Sequence, residues 1–226
     1  MTAHSALPPV ATPTVSDLSP TRTLIAAGLL PGPLFILVAA AQILTRDGFD
    51  LRHHPLSALS LGDAGWVQIA NFVIVGALSA AFAVGVRRGL RGGPAGTWGP
   101  VLLGGYGIGL IAAGLFVTDG AYGFPAGAPA GLPATFSWHA MVHGAAATLA
   151  FLSLTAACGV FARRFVTQRR PVWAAASLAT GVAVPVLAAW PGTGAASIRL
   201  AVATLLAWAW LTALAAQLRA DQRTAG

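Results

Sequence analysis

Six apolar blocks divide the chain, each close to the roughly 20 residues that an α-helix needs to cross a bilayer. They fall at about 24–44, 66–86, 99–117, 138–161, 171–190 and 198–218. None alternates strictly between apolar and polar residues, which argues against the strands of a membrane barrel. Only 8% of the residues are charged and 56% are hydrophobic, whereas a soluble domain carries about 25% charged residues. Water is therefore not the main solvent of this chain. The expected fold class is all-α: a polytopic membrane protein with a bundle of six transmembrane helices, forming one domain over residues 21–220.

The flanks and connections read differently. Residues 1–20 are rich in Pro, Ser and Thr and lack the basic start and apolar core of a signal peptide, so they are expected to form a disordered tail. Residues 221–226 are expected to form a second, short tail. Pro31, Gly32 and Pro33 should bend the first span, and Pro185 the fifth. The run GAYGFPAGAPAGLPATFS, before the fourth span, is too rich in Gly and Pro for extended regular structure. Ser137 suits an N-cap, and Pro171 suits the first turn of a helix. The single cysteine, Cys158, lies inside an apolar block and reads as packing.

The net charge of +7 comes from 13 Arg, with no Lys, against 6 Asp. These arginines lie in short inter-helix loops and form neither a basic helix nor an arm, so nucleic acid is not an expected partner. They fit the topology of a membrane protein better. Nine of them, Arg87, Arg88, Arg91, Arg163, Arg164, Arg169, Arg170, Arg219 and Arg223, fall on one face. Basic residues in short loops are retained in the cytoplasm, which predicts a multi-pass protein of the cell membrane with both termini cytoplasmic. Trp66, Trp138 and Trp190 then mark the opposite interface.

That opposite face gathers the polar chemistry of the chain. The loop FDLRHHPLSALSLGD contributes His53, His54, Ser57, Ser60 and Asp63; the end of the third span contributes Asp119; the fourth contributes His139 and His143. His139 and His143 form an HxxxH pair, whose four-residue spacing places both rings on one helix face, within reach of one metal ion. The positive end of the helix dipole disfavours imidazolium there, and metal binding needs the neutral ring. The HHPLS stretch allows either His53 or His54 to face inward; His54 is the chosen third imidazole, with zinc the implied cofactor. Asp119 ends a helix where a carboxylate needs a cation or hydrogen-bond donor. A metal, Arg52, Arg199 or a protonated His would supply it; a solvated turn is the alternative. Ser57 and Ser60 could polarise a substrate or cap a short helix, and Asp63 suits the cap of the second span. Gln68 and Asn71 share a face and read chiefly as interhelical ties. Tyr106 and GGYGIGLIAAG read as close helix packing.

The runs HHPLSALSLGDAGWVQIANFVIVG, GLFVTDGAYGFP and HAMVHG resemble the bacterial integral membrane family called domain of unknown function 998, which implies the six-helix fold and no activity. A weaker similarity, in motif order, is to the alkaline ceramidase and adiponectin receptor hydrolases. These hold zinc with three His beside a Ser and an Asp. Here the order is His54 and Ser57, then Asp119, then His139 and His143, in six spans rather than seven.

Three functions follow from these residues. In a membrane-embedded zinc hydrolase, His54, His139 and His143 hold the metal, its water attacks a lipid amide or ester, and Asp119 orients that water, with Ser57 as a second catalytic group. In a non-enzymatic protein the same His cluster titrates in a small-solute or proton-coupled permease, or in a bundle that docks a partner. In an acid-type enzyme, protonated Asp119 acts on an isoprenoid or another apolar substrate. The bilayer is a partner in every case, and no signature of an oligomeric state is present.

Overall fold

A computed structural model describes residues 15–90, 92–190 and 195–224. The elements are α1 (Val15–Ala27), α2 (Pro31–Thr45), a 3₁₀ turn (Leu56–Ser60), α3 (Gly65–Gly89), α4 (Gly93–Leu115), α5 (Trp138–Thr167), α6 (Pro171–Ala189) and α7 (Ala196–Thr224). Six helical stretches are long and apolar enough to cross a membrane, the first of them, Pro20–Thr45, combining the end of α1 with all of α2. Apolar side chains such as Leu37 (69% exposed) and Val182 (62%) point outward along the spans, as in a bundle solvated by lipid.

The first span breaks where the sequence predicts. Pro31 and Pro33 lack the N–H groups that would bond Ala27 and Leu29, so the chain closes α1 with i to i−3 bonds and restarts when Leu34 N–H reaches the Leu30 carbonyl. The break lies against α3 and α7: a Cβ on Gly28 would meet the Phe82 ring at 2.6 Å, and one on Gly32 would meet Thr212 Oγ1 at 2.6 Å.

Several boundaries differ from expectation. Residues 1–14 of the expected tail lie outside the described residues, and α1 already begins at Val15. At the other end α7 runs to Thr224, through most of the segment expected to be a tail. Asp221 is held there by Arg170 at 2.9 Å and by Gln217 at 2.7 Å. Hydropathy marks where the chain meets lipid; backbone bonding carries the helix past that limit.

Consecutive helices from α3 to α7 pack on one another, and α1 and α2 pack on both α3 and α7, closing a ring. The tightest seam joins α3 and α4, where a Cβ on Gly107 would lie 2.6 Å from the Gly76 carbonyl oxygen and 2.9 Å from Ala80 N. The small-residue run in the third span is thus a packing surface, as expected. Among the described residues, the termini and the arginine-bearing turns share one face; Arg22 contacts the Gln222 carbonyl at 3.4 Å. Beneath that face Phe82, Phe161, Phe165, Leu214 and Leu218 are at most 1% exposed. The opposite half lies under the long connections and holds an open cleft and a smaller chamber.

Candidate functional site

Two connections build the loop face. After α2, Arg46 turns back and donates to the carbonyls of Leu59 and Leu61, while its guanidinium lies 5.3 Å from the centre of the Phe124 ring. It thereby pins the 3₁₀ turn beneath the connection between α4 and α5. That connection folds on itself: Tyr122 and Gly123 N–H donate to the carbonyls of Gly131 and Pro129. The reversal requires positive φ at both residues, 51° and 79°, which Gly123 adopts without strain. It drives Phe124 inward, to 2% exposure.

His54 sits where the two connections meet. Its Nδ1 accepts the Asp50 backbone N–H at 2.9 Å, so Nε2 bears the proton and faces the Tyr122 carbonyl at 3.3 Å. Phe49 and Phe124 flank it, with ring centres 5.4 and 5.3 Å away. Both nitrogens are engaged, and the ring is 3% exposed. His53 beside it is exposed and packs on Tyr122, while its carbonyl accepts from Ser197 Oγ at 3.0 Å, which ties the loop to α7. Arg52 pairs with Asp50 at 2.9 Å. The hydrogen bonds from the Arg52 side chain and N–H hold the Asp50 carboxyl down at about 2.

Asp119 has a different partner from those the sequence suggested. Its two oxygens accept the Ser137 N–H at 2.7 Å and the Ser137 hydroxyl at 2.6 Å. Ser137 Oγ in turn accepts the Ala140 N–H at 3.1 Å, confirming its expected role as the cap of α5. The carboxylate thus fixes the start of the helix that bears HxxxH.

His143 is buried, and its Nδ1 lies 2.8 Å from the Ala113 carbonyl oxygen and 2.9 Å from that of Phe116. Only a protonated Nδ1 can face two carbonyl oxygens, so in the neutral ring Nε2 is the acceptor. His139 is exposed and stacks on Trp138, ring centres 3.6 Å apart. The expected grouping of His54, His139 and His143 around zinc is therefore not formed. Among the described residues no group of three or more His, Cys, Asp or Glu is arranged to hold a metal ion. His139 lies exposed in the first turn of α5 against Trp138, His143 is held by the end of α4, and both His54 nitrogens are engaged between the two connections, so the three rings have separate surroundings.

The polar groups expected in one cluster divide between two spaces. An open cleft of about 720 Å³ has Arg52, His53, His54, Asp119 and Tyr122 in its wall, along with Leu132, Phe136 and Ile198. Below it, a chamber of about 90 Å³ is lined by Ser57, His143, Tyr106 and Trp208 among apolar residues. The 3₁₀ turn separates them, with Pro55 and Ala58 lining the cleft and Leu56 and Ser57 the chamber.

The caps expected of Ser57, Ser60 and Asp63 are not observed. The 3₁₀ turn follows Pro55 and α3 follows Ala64, neither with a side-chain cap bond; Asp63 is exposed, and the buried Ser60 hydroxyl has no partner. The chain enters α3 through Gly65, which packs directly on the Ser60 backbone and leaves Asp63 outside. Gln68 and Asn71 are interhelical ties, as read. Gln68 Oε1 accepts from Gln42 Nε2 at 2.7 Å and from Asn71 Nδ2 at 3.2 Å, and Asn71 also donates to the Phe35 carbonyl. Gln42 escaped the sequence reading, although one amide inside an apolar run is itself a signal. Arg46, Tyr122 and Phe124 were also missed, because their roles depend on a loop reversal without regular periodicity.

No curated protein and no solved structure matches the chain. A family model described as "Protein of unknown function (DUF998)" matches residues 29–217, which reach into all six spans and take in both connections of the loop face. The chain belongs to the DUF998 family of proteins of unknown function.

Proposed function

We propose that this membrane protein binds an amphiphilic lipid at its loop face, with the polar end of the lipid in the cleft. The observation that carries this reading is the composition of the cleft wall: Arg52, His53 and Asp119 share it with Leu132, Phe136 and Ile198 in about 720 Å³. A concave site lined by both charged and apolar groups suits a ligand that carries both. The exposed Trp66, Trp138 and Trp190 flank this end of the bundle, which is the depth at which lipid headgroups lie. The arginine count supports a placement of this face outside the cell membrane, with both termini cytoplasmic. Zinc hydrolysis gains no support from the site, because the three imidazoles have different surroundings and Asp119 is engaged by Ser137.

Ala196 lines the cleft and is exposed, so Ala196→Trp would obstruct it without disturbing the core. The test is to reconstitute wild type and variant in nanodiscs of mixed lipid composition and to measure retained lipid by native mass spectrometry. Wild type should retain a defined lipid stoichiometry that the variant loses at unchanged thermal stability. Equal retention by the two proteins would overturn the reading.

A further inference from the structure

We propose that the chamber beneath the 3₁₀ turn is a second binding site, distinct from the cleft, for an uncharged aliphatic molecule ending in a hydroxyl group that enters sideways from the bilayer. Five polar side chains line it with no charged group among them: Ser57, Tyr106, His143, Trp208 and Thr204, whose hydroxyl already donates to the Leu200 carbonyl. Tyr106, His143 and Trp208 are 3%, 8% and 1% exposed. The buried indole N–H of Trp208 has no partner, and buried polar groups left unpaired are costly and uncommon. With its Nδ1–H directed at the carbonyls of Ala113 and Phe116, the neutral His143 ring presents Nε2 as an acceptor. The chamber therefore offers one strong acceptor beside donors on Tyr106 and Trp208. A hydroxyl group answers both, donating to the imidazole and accepting, through its two lone pairs, from the indole and the phenol. A carbonyl would leave the imidazole unpaired, a carboxylate would face its lone pair, and an ammonium would find no counter-charge.

The remaining wall is apolar, with Phe35, Phe72, Leu110 and Phe151. No residue of α6 contributes to it. Ala147 and Phe151 of α5 and Leu200 and Thr204 of α7 line the chamber but are only half-buried, which places its mouth between these two helices. Ala147 lies nine residues into α5 from Trp138, about 13 Å along the helix at 1.5 Å per residue. That depth is inside the hydrocarbon layer, so the mouth opens on lipid tails. The volume of about 90 Å³ holds a hydroxyl and its first few carbons, and the rest of an aliphatic chain would leave through the mouth.

The probe is 1-hexanol, with n-heptane as an apolar control of equal heavy-atom count, added to nanodisc-embedded protein labelled with 15N-histidine. Hexanol should move the His143 Nε2 resonance in a saturable manner and heptane should not. Ala147→Trp, which plugs the mouth, should abolish the shift. Tyr106→Phe, which removes one hydroxyl and keeps the ring, should weaken hexanol about 3- to 10-fold, the loss of one neutral hydrogen bond. If Ala147→Trp does not fold, Tyr106→Phe decides alone. A shift with heptane equal to that with hexanol, no shift at saturating hexanol, or undiminished affinity in Tyr106→Phe would overturn the proposal. Lipid retention in the cleft, measured on the same samples, separates its failure from that of the cleft reading.

Discussion

The Asp119 carboxylate and Ser137 are joined twice, through the Ser137 backbone N–H at 2.7 Å and its hydroxyl at 2.6 Å. They are 18 residues apart in the chain, and between them runs the whole connection that walls the cleft. This pair sets the end of α5 against the end of α4 and so positions His143 beneath it.

Removing either partner should loosen that junction. Ser137→Ala is expected to cost about 1 kcal/mol as a lost cap, and Asp119→Ala about 1.5–3 kcal/mol because its bonds are charge-assisted. The double variant should cost less than the sum of the two. Denaturant unfolding in detergent measures all three, and strictly additive losses would show that the pair is not coupled.

The α3–α4 seam predicts opposite outcomes at two neighbouring glycines. A Cβ on Gly107 would meet the Gly76 oxygen at 2.6 Å, whereas one on Gly104 has only the Ala83 Cβ, at 3.9 Å. Gly107→Ala should destabilise by about 1–3 kcal/mol through overpacking. Gly104→Ala should be neutral or gain up to about 1 kcal/mol from helix propensity. Melting temperatures of the two purified variants decide the matter; equal values would contradict the seam.

Within the amide network, Gln68 is the shared acceptor. Gln68→Leu strands the donors of Gln42 and Asn71 and should cost about 1–3 kcal/mol. Adding Gln42→Leu removes one stranded donor and should recover part of that loss. Reversible unfolding in SDS provides the comparison, and a double variant weaker than Gln68→Leu alone would count against the network.

Asp50 supplies a pH test. Its carboxyl sits at about 2 instead of the ordinary 3.8, chiefly because the Arg52 side chain donates to it. A depressed carboxylate contributes stability above its unfolded pKa, and that contribution disappears as pH falls through the folded value. The loop contact should accordingly persist above about pH 4 and be lost toward pH 2. Both side chains reach solvent, so added salt should weaken the contact. A carboxyl 13C titration checks it: Arg52→Ala should return the Asp50 midpoint toward 3.8.

Sidedness can be tested with single cysteines. Cys158 is buried and should stay unlabelled. Ala126→Cys on the loop face should react with a membrane-impermeant maleimide in intact cells, and Thr224→Cys only after lysis. The reverse pattern would invert the orientation.

How much was legible beforehand depended on the range of the physics involved. The helices were readable because hydropathy over about 20 residues is a local property, and so was the break at Pro31 and Pro33, since a missing N–H acts within one turn. Ser137 was readable as a cap for the same reason. Asp63 was misassigned because the turn through Gly62 and Gly65 packs Gly65 on Ser60, a contact that side-chain preference does not report.

The sequence alone determined a six-span helical membrane protein, which face carries the arginines, and that polar groups gather on the other. Tertiary structure alone decided how those groups are shared out. His54 became a brace between two loops, Asp119 an anchor for α5, and His143 an acceptor in a chamber with Ser57, while His139 was left outside. Helical spacing fixes the angle between two side chains on one helix, but whether each points into the bundle depends on how neighbouring helices rotate and close around it, and that is set by contacts far apart in the chain.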